Sequence, residues 1–436
     1  MSSLRSIADW RPRTRFYYGW LVLGTAALGA FAATGVAQVV LGGIQSLIFE
    51  DMGWDRSTIA YGVTAGTWMS GLLTPLFGRL ADRHGPRGLM PVGLVVVGVS
   101  LFGLAGIREV WHFYVAYIIA RSIANPILIG VVPRTVTVNF FHRRRNFALG
   151  LQSMARPVAG AINIQVISLV AQGYSWRVAY RALGVFALAL IVPMLLVMRR
   201  RPEDIGLRPD GDRSPAATPS GSSAGASGPL PSERRDWRAR EAIATSTFWL
   251  IVAAEALIIL TSGAIGFQTV PYLKDSGLSQ TYAAVALSLS SLLGALGNPG
   301  WGYLADRLSP RRLALSIIPA TALVTSLFLI IDSGRTGFIV MVVWGISSGG
   351  LTILGNMMLA HYFGRSSYGT ISGLTGPIQL GFLGLGPTFG AVLFSLTDGY
   401  TALFAYAVFA YGAAMLLIYS VRAPRLPHGA VAERIE

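Results

Sequence analysis

The feature that most constrains this chain is a series of twelve long apolar stretches separated by short polar segments. Each is at least as long as the roughly 20 residues that a helix needs to cross the hydrocarbon core of a bilayer. Of the 436 residues, 53% are hydrophobic and only 13% are charged, which is too little polar surface for a soluble globule of this size. The sequence therefore predicts an all-α polytopic membrane protein with twelve transmembrane helices. We place them near residues 18–48, 58–80, 88–107, 110–139, 147–172, 176–198, 246–272, 281–304, 313–332, 336–361, 368–396 and 399–421.

The positive charge lies in the segments between these stretches. The formal net charge is +15, and arginine triplets at 143–145 and 199–201 stand in loops that alternate along the chain with loops holding few cations. An excess of Lys and Arg marks the cytoplasmic side of a membrane protein. We therefore expect a multi-pass protein of the bacterial inner membrane with both termini in the cytoplasm. No basic helix with interleaved aromatics is present to follow a phosphate backbone, which excludes nucleic acid as a partner.

Several kinds of chemistry are excluded by composition. The chain has no cysteine, and its five histidines are scattered singly, so neither disulfides nor a metal site is expected. We find no Ser/His/Asp arrangement, no paired acids at one depth and no phosphate-binding Gly-rich loop, which argues against an enzyme, a cofactor and an ATP-driven pump. The first apolar stretch is too long for a removable signal peptide and lacks a cleavage site, so it is predicted to be retained.

The stretches fall into two groups of six. The segment from 209 to 231 is rich in Ser, Pro, Gly and Ala, has no apolar periodicity and is predicted to be disordered. From 234 to 244 the chain mixes Arg with Trp237 and Ile243, which is typical either of a short amphipathic helix on the membrane surface or of a charged lead-in to the seventh helix. The predicted domains are a tail at 1–17, a six-helix bundle at 18–198, a cytoplasmic linker at 199–245, a second bundle at 246–421 and a tail at 422–436.

An internal repeat relates the two groups at a constant offset of 224 residues. Repeats at a fixed spacing indicate repeated structural units, so the two bundles are predicted to be pseudo-symmetric. The identical pairs are Asp51/Asp275, Gly53/Gly277, Pro75/Pro299, Gly78/Gly302, Leu80/Leu304, Ala81/Ala305, Asp82/Asp306, Arg83/Arg307, Pro86/Pro310 and Arg87/Arg311.

The repeated Gly-x-Leu-Ala-Asp-Arg loop joins the second and third helices of each bundle. A glycine lets two helices approach closely, and Asp and Arg can engage helix ends. We expect these loops to form a conformational latch that holds the cytoplasmic side closed; the alternative is that the charges only set topology at a tight turn. The latch residues are Gly78, Asp82, Arg83, Arg87, Gly302, Asp306, Arg307 and Arg311.

The loop at 78–87 and its second copy at 302–312 resemble the loop signature of the major facilitator superfamily. Arg121 similarly resembles the family's central arginine of the fourth helix, with Asn125 and Pro126 where a Gln-Gly pair usually follows. The resemblance implies two six-helix bundles that bind a small solute between them and open alternately to either side.

Further segments resemble the bacterial oxalate/formate antiporter-like and monocarboxylate-porter-like branch of that family. They are the sequences at 16–20, 53–57, 143–150, 201–207 and 363–370. The resemblance implies a small carboxylate as substrate. The best-known carriers of the branch place a cation in the eighth or eleventh helix, and this chain has none in either.

Charged residues inside predicted helices are functional candidates, because a charge at the bilayer centre costs at least about 2.5–3.5 kcal/mol. Arg121 and Arg156 are predicted to clamp an anion, since guanidinium groups bind carboxylates in bidentate fashion. The alternative is that each pairs with backbone carbonyls or an acid and only holds helices together. Arg134, thirteen residues beyond Arg121, is expected to point elsewhere and to snorkel toward the surface.

Glu255 lies well inside the seventh apolar stretch. A carboxyl in a dry site can change protonation when water or a cation approaches. We expect Glu255 to carry a coupling proton, with a structural tie between helices as the alternative.

Neutral polar residues complete the predicted site. Interrupted helices tend to line transporter sites, so residues beside helical prolines are included, although a proline can also serve only to bend a helix. Trp68, Trp344 and Tyr272 either contact an apolar part of the solute or only pack. The predicted neutral lining comprises Asn125, Gln152, Gln38, Gln268, Asn298, Asn356 and Gln379.

These expectations define a secondary active transporter that moves a small organic anion by alternating access, as a monomer and with proton-coupled uptake. Two alternatives stay open on the sequence. One is proton-driven efflux of a drug or metabolite, and the other is a sensor that binds a solute without moving it.

Overall fold

The computed structural model describes residues 15–36, 41, 48, 51–54, 56–211, 237–331 and 333–424. Within these residues the secondary structure is helical, and we number the long helices in chain order. They are α1 (Tyr18–Thr34), α2 (Arg56–His84), α3 (Pro86–Ala105), α4 (Val110–Phe140), α5 (Arg145–Gly173), α6 (Trp176–Val197), α7 (Ser246–Asp275), α8 (Gln280–Leu308), α9 (Pro310–Ile330), α10 (Gly334–Phe363), α11 (Tyr368–Thr397) and α12 (Thr401–Ser420).

Eight of these helices are long and apolar enough by themselves to span a membrane. Of the rest, α1 is apolar but shorter in its described part, while α2, α5 and α8 carry more polar residues. The fold of an all-α polytopic membrane protein is thereby confirmed.

Local sequence explains where many helices begin. Ser175, Thr245, Ser279 and Ser333 each accept a hydrogen bond from the backbone N–H three residues later, which caps α6, α7, α8 and α10. The repeat is visible at α3 and α9, which both have proline in the first turn. The residues before those prolines, Gly85 and Ser309, have φ values of 73° and 71°. At both places the chain therefore reverses direction in a single tight turn.

The buried apolar residues form two separate cores. One is built from α1 to α6, and the other from α7 to α12 with Trp237 and the side chains of Val138 and Leu149. Trp237 precedes a one-turn helix, Ala239–Ile243, and packs edge-to-face on Phe363 at a centroid distance of 5.7 Å. Trp237 is thus buried in protein, and the choice between a surface helix and a charged lead-in to α7 stays a prediction. The domain boundaries in the chain stay a prediction.

We call the side of the molecule that carries the α2–α3, α4–α5, α8–α9 and α10–α11 loops the linker face, because the segment between α6 and α7 also leaves from it. Close helix crossings join the two halves near this face, α2 against α11 and α5 against α8. These crossings set the floor of the cavity described next.

Candidate functional site

A central cavity of about 530 Å³ lies between the two halves. It is lined by residues of α2, α4 and α5 from the first half and of α7, α8, α10 and α11 from the second. Pockets that hold small organic ligands have volumes of roughly 300–1,000 Å³. The cavity is therefore large enough for a small-molecule solute.

Arg156 lines this cavity and is exposed within it. It lies near the middle of α5, about 17 Å along the axis from the first residue at 1.5 Å per residue. Its guanidinium makes no hydrogen bond or ion pair with any part of the chain that the structure describes, and the charged neighbours that act on it, Arg121 and Arg134, are both cations. Arg156 thus offers unused donors and an unneutralised charge to the cavity.

A polar cluster forms the floor of the cavity near the linker face. Arg134 Nη1 donates to Asn356 Oδ1 at 3.2 Å, which joins α4 of one half to α10 of the other. Glu255 lies close to this pair. A Cβ placed on Gly355, the residue before Asn356, would be only 2.3 Å from Glu255 Cδ. The Glu255 carboxylate interacts with Arg134 and Gln379. All four residues of the cluster, Arg134, Asn356, Glu255 and Gln379, line the cavity.

This cluster corrects the expectation for Arg134. The helical wheel placed it away from the site, whereas the structure places it on the cavity floor. The reason is the interruption of α4, where residues Asn125–Ile129 form a π turn and Gly130 N bonds to Asn125 O at 2.7 Å. A π turn adds a residue to the turn, so the helix face beyond it rotates.

Arg121 is only 3% exposed and is not among the residues that line the cavity. Its Cβ and Cγ pack against Gly66 of α2, and Nε and Nη1 have no hydrogen-bond partner among the described residues. The structure therefore does not bring Arg121 and Arg156 together as two lining groups. Arg121 instead adds positive charge from within the wall.

The neutral residues divide into those that face the cavity and those that do not. Asn125 and Gln152 line it while also tying helices together: Asn125 Nδ2 donates to Ser70 Oγ at 3.0 Å, and Gln152 Nε2 to Ile129 O of the π turn at 2.9 Å. Asn298 lines the cavity from α8, with its amide nitrogen placed to donate to Gly294 O and Gly349 O.

Of the remaining predicted lining residues, one does not line the cavity and the other lies outside the described residues. Gln268 is buried against Gly390 of α11 and does not line it, because that part of α7 is packed against α11. Gln38 lies outside the described residues.

The linker face is closed by two equivalent contacts across the halves. The Asp82 carboxylate at the end of α2 accepts hydrogen bonds from Gly369 N, Thr370 N and Thr370 Oγ1 in the first turn of α11, at 2.7–3.0 Å. Asp306 at the end of α8 accepts from Asn146 N and Phe147 N in the first turn of α5, both at 3.0 Å. Each aspartate therefore caps a helix of the opposite half, where its charge also meets the positive helix end.

Glycines permit these contacts. A Cβ on Gly78 would lie 2.2 Å from Gly369 O, and a Cβ on Gly302 would lie 2.2 Å from Asn146 O. Both distances are far below van der Waals contact with rigid backbone. No other residue type fits at either crossing while the linker face is closed.

The arginines of the repeated loop behave differently from the aspartates. Arg311 Nη2 donates to Tyr419 O at 2.6 Å, within its own half, and Arg307 stacks on Tyr303 of its own helix. Arg83 is exposed and Arg87 is half-buried. The contacts described for these arginines do not cross between the halves.

A further bridge at the linker face was missed by the sequence reasoning. Arg365 in the α10–α11 loop pairs with Glu203, which follows α6, at 2.7 Å. Asp210 accepts hydrogen bonds from the backbone N–H groups of His142 and Arg143 in the α4–α5 loop. The only sequence feature that pointed to the Arg365–Glu203 pair was the resemblance of segments 201–207 and 363–370 to the same branch of one family.

At the other face the repeat preserves a second contact. Asp51 accepts from Trp176 Nε1 at 3.1 Å and pairs with Arg177, while Asp275 accepts from Tyr400 OH at 2.8 Å. Trp176 and Tyr400 differ by the same 224 residues as the two aspartates. Hydrogen bonding by the Arg177 side chain lowers the pKa of the Asp51 carboxyl.

The family model described as Major Facilitator Superfamily matches residues 26–380. The chain belongs to the major facilitator superfamily. The resemblance of the two Gly-x-Leu-Ala-Asp-Arg loops to that family is confirmed, and the protein is a multi-pass membrane transporter. Family and fold are those of transporters, which are not enzymes.

Relatives and solved structures agree with this assignment. The MFS-type transporter pynF of Aspergillus niger is 26% identical over 86% of this chain and 81% of its own length. Monocarboxylate transporter 4 of Mus musculus is 22% identical over 89% and 80%. The membrane sensor protein UhpC of Salmonella typhimurium is 26% identical over 69% and 64%. The E. coli fucose:proton symporter FucP superposes with a TM-score of 0.69 at 13% identity, over 93% of this chain and 99% of that one, which shows the shared fold.

Proposed function

We propose that this transporter moves a small organic anion, a carboxylate, across the bacterial inner membrane by alternating access. It works as a monomer with both termini in the cytoplasm and takes up its substrate together with protons. The observation that carries the proposal is Arg156, an exposed guanidinium in the central cavity that has no partner among the described residues. A cation in such a site requires a negative group to compensate it, and a carboxylate matches its donor geometry. Similarity to monocarboxylate transporter 4 agrees with this substrate class.

Glu255 is the proposed carrier of the coupling proton. It lies beside Arg134 and Gln379 on the cavity floor, and its Oε2 has no hydrogen-bond partner among the described residues. The Arg134–Asn356 bond and the attraction between Arg134 and Glu255 both cross the halves and stabilise the closed linker face. Protonation of Glu255 removes the second attraction, which favours opening at the linker face and release of the solute.

The two aspartate caps supply the proposed conformational latch. Asp82 and Asp306 bond to α11 and α5 only while the halves are together at the linker face. Opening this face must break both sets of bonds and separate Gly78 and Gly302 from the opposing backbone.

A binding screen tests the anion proposal. Detergent-purified protein is titrated with mono-, di- and aromatic carboxylates, each paired with its neutral amide, and ligand-induced thermal stabilisation is measured. We expect stabilisation by carboxylates only, and its loss in Arg156→Gln. Arg335→Gln removes the same charge from an exposed position outside the cavity and serves as the control. Equal stabilisation by acid and amide, or full binding by Arg156→Gln, contradicts the proposal.

Transport in proteoliposomes tests coupling and direction. A carboxylate found in the screen is supplied outside vesicles with an inward or an outward proton gradient. Accumulation driven by the inward gradient supports uptake, the reverse supports efflux, and binding without flux supports a sensor. Glu255→Gln should still bind the anion but lose the dependence on the gradient; a mutant with unchanged dependence would remove Glu255 from the mechanism.

A further inference from the structure

The lining cations of the central cavity come from the first half, and most of the large apolar side chains come from the second. The first half contributes Arg156 together with the amides of Gln152 and Asn125. At and above the level of Arg156 the second half contributes both serine hydroxyls and large apolar side chains. The hydroxyls are those of Ser262, Ser290, Ser291 and Ser348, and the apolar side chains include Ile258, Ile259, Leu287, Trp344, Leu380 and Leu383.

The heights of these groups follow from their positions along the helices. Arg156 is the twelfth residue of α5 and Ile258 the thirteenth of α7, and both helices start at the linker face, so both lie roughly 17–18 Å from it at 1.5 Å per residue. Leu383 lies about 22 Å from the start of α11, and Trp344 about 28 Å from the linker-face end of α10. Large apolar side chains of the second half therefore extend from the level of the cation toward the opposite face, alongside the four serine hydroxyls.

Among the described residues that line the cavity, one positive charge is free and not two. Arg134 is hydrogen-bonded to Asn356 and faces Glu255, and Arg121 does not line the cavity. Among the described lining residues this leaves Arg156 as the cation without a partner. A second negative group on the solute would meet the Glu255 carboxylate, apolar side chains or neutral serine and asparagine groups, and none of these neutralises its charge.

We propose that the substrate is an amphipathic monocarboxylate, with its carboxylate on Arg156 and a body of four or more carbons, aliphatic or aromatic, on the wall formed by α7, α8, α10 and α11. This inference rests on the proposed function and adds the size and polarity of the substrate. Acids of one to three carbons leave most of that wall without contact. Leu383, which is 45% exposed and lines the cavity, is the position that reads the apolar body.

A homologous series tests the proposal. Dissociation constants are measured in detergent for acetate, butyrate, hexanoate and benzoate, with hexanamide and adipate as controls. Affinity should rise from acetate to hexanoate by two- to fourfold per methylene, the upper value corresponding to about 0.8 kcal/mol per buried CH₂. Benzoate should bind at least as tightly as butyrate. Hexanamide should not bind detectably, and adipate should bind at least tenfold more weakly than hexanoate.

Substitutions on one helix locate the apolar contact. Leu383→Ser should lower hexanoate affinity about fivefold and leave acetate affinity unchanged. Leu385→Ser is the matched control, because Leu385 is 56% exposed on the same helix but does not line the cavity. A loss with Leu385→Ser equal to that with Leu383→Ser would overturn the assignment of the wall.

The outcomes separate this inference from the proposed function. If no carboxylate binds, or if binding does not depend on Arg156, the proposed function fails. If binding depends on Arg156 but acetate equals hexanoate, or adipate exceeds it, the anion transporter stands and the amphipathic substrate is wrong.

Discussion

The two halves of this transporter are nearly the same where they lock together and different where they face the solute. Asp82 and Asp306 cap equivalent turns of the opposite half, and the glycines beside them approach backbone at the same distance. Arg156, by contrast, is the twelfth residue of α5, and the twelfth residue of α11 is Gln379. The duplicated sequence thus preserves the geometry of closure, while the cations of the cavity stand in one half and the carboxylate in the other.

The largest effect is expected from a substitution at one of the two close helix crossings, α2 against α11 or α5 against α8. Gly78→Ala places a methyl group 2.2 Å from Gly369 O, and overpacking against rigid backbone costs typically 1–3 kcal/mol. Since only the state closed at the linker face pays this cost, its population should fall up to about 100-fold. Transport rates in proteoliposomes and protease accessibility of the linker face measure the change.

Gly88→Ala is the control for that substitution, because nothing lies within 4 Å of its Cβ position. Gly302→Ala should reproduce the effect of Gly78→Ala from the other half. If Gly78→Ala transports normally while remaining folded, the close crossing is not required for the cycle.

Exchanging the two equivalent cavity residues tests the difference between the halves. The double variant Arg156→Gln, Gln379→Arg keeps the composition of the cavity but moves the cation beside Glu255. We expect carboxylate affinity to fall about 10- to 100-fold, the value of a charge-assisted hydrogen bond of roughly 1.5–3 kcal/mol. Binding is measured by calorimetry, and retained affinity would mean that the halves are interchangeable at the site.

A smaller and graded effect is expected from the aspartate caps. Asp82 accepts three hydrogen bonds and Asp306 two, and a helix cap is worth about 1 kcal/mol. Asp82→Ala should therefore open the linker face more than Asp306→Ala, as measured by distances between spin labels on the two halves. Thr370→Val removes the third donor, so in that background the two substitutions should become equal. A larger effect of Asp306→Ala than of Asp82→Ala would contradict this ranking of the two caps.

The smallest effect concerns the contacts at the other face. Asp51 is paired with Arg177, whereas Asp275 bonds to the neutral Tyr400. Asp51→Asn should lower the free energy of unfolding by about 0.2–1 kcal/mol, as for other exposed ion pairs. Because the pKa of Asp51 is lowered below 3.8 in the folded state, this contribution is present above pH 3.8 and is lost as the pH falls through the folded pKa.

Thermal unfolding in detergent at pH 7 and pH 3 measures this prediction. The difference between wild type and Asp51→Asn should shrink at the lower pH and in high salt. Asp275→Asn provides the comparison without a cation, and an equal pH dependence for both variants would show that Arg177 contributes nothing.

The sequence by itself determined the membrane class, the twofold repeat and the family, because the length of apolar stretches and the repetition of charged loop residues at a constant spacing are properties of the chain alone. It also identified Asp82 and Asp306 with their glycines, since the same residues recur at a constant spacing. Arg156, Glu255 and Asn356 were found because polar groups in apolar helices are conspicuous.

Only the tertiary structure decided which of these groups share a site. Arg134 reaches the cavity because a π turn rotates the end of α4. Arg121 is packed against Gly66 and does not line the cavity. A regular helical wheel predicts neither position. The partners of the two aspartates are backbone N–H groups, which every residue carries and no sequence pattern marks. The apolar wall also emerged only from the packing, because a leucine facing a cavity and a leucine facing lipid look the same in a hydrophobic helix.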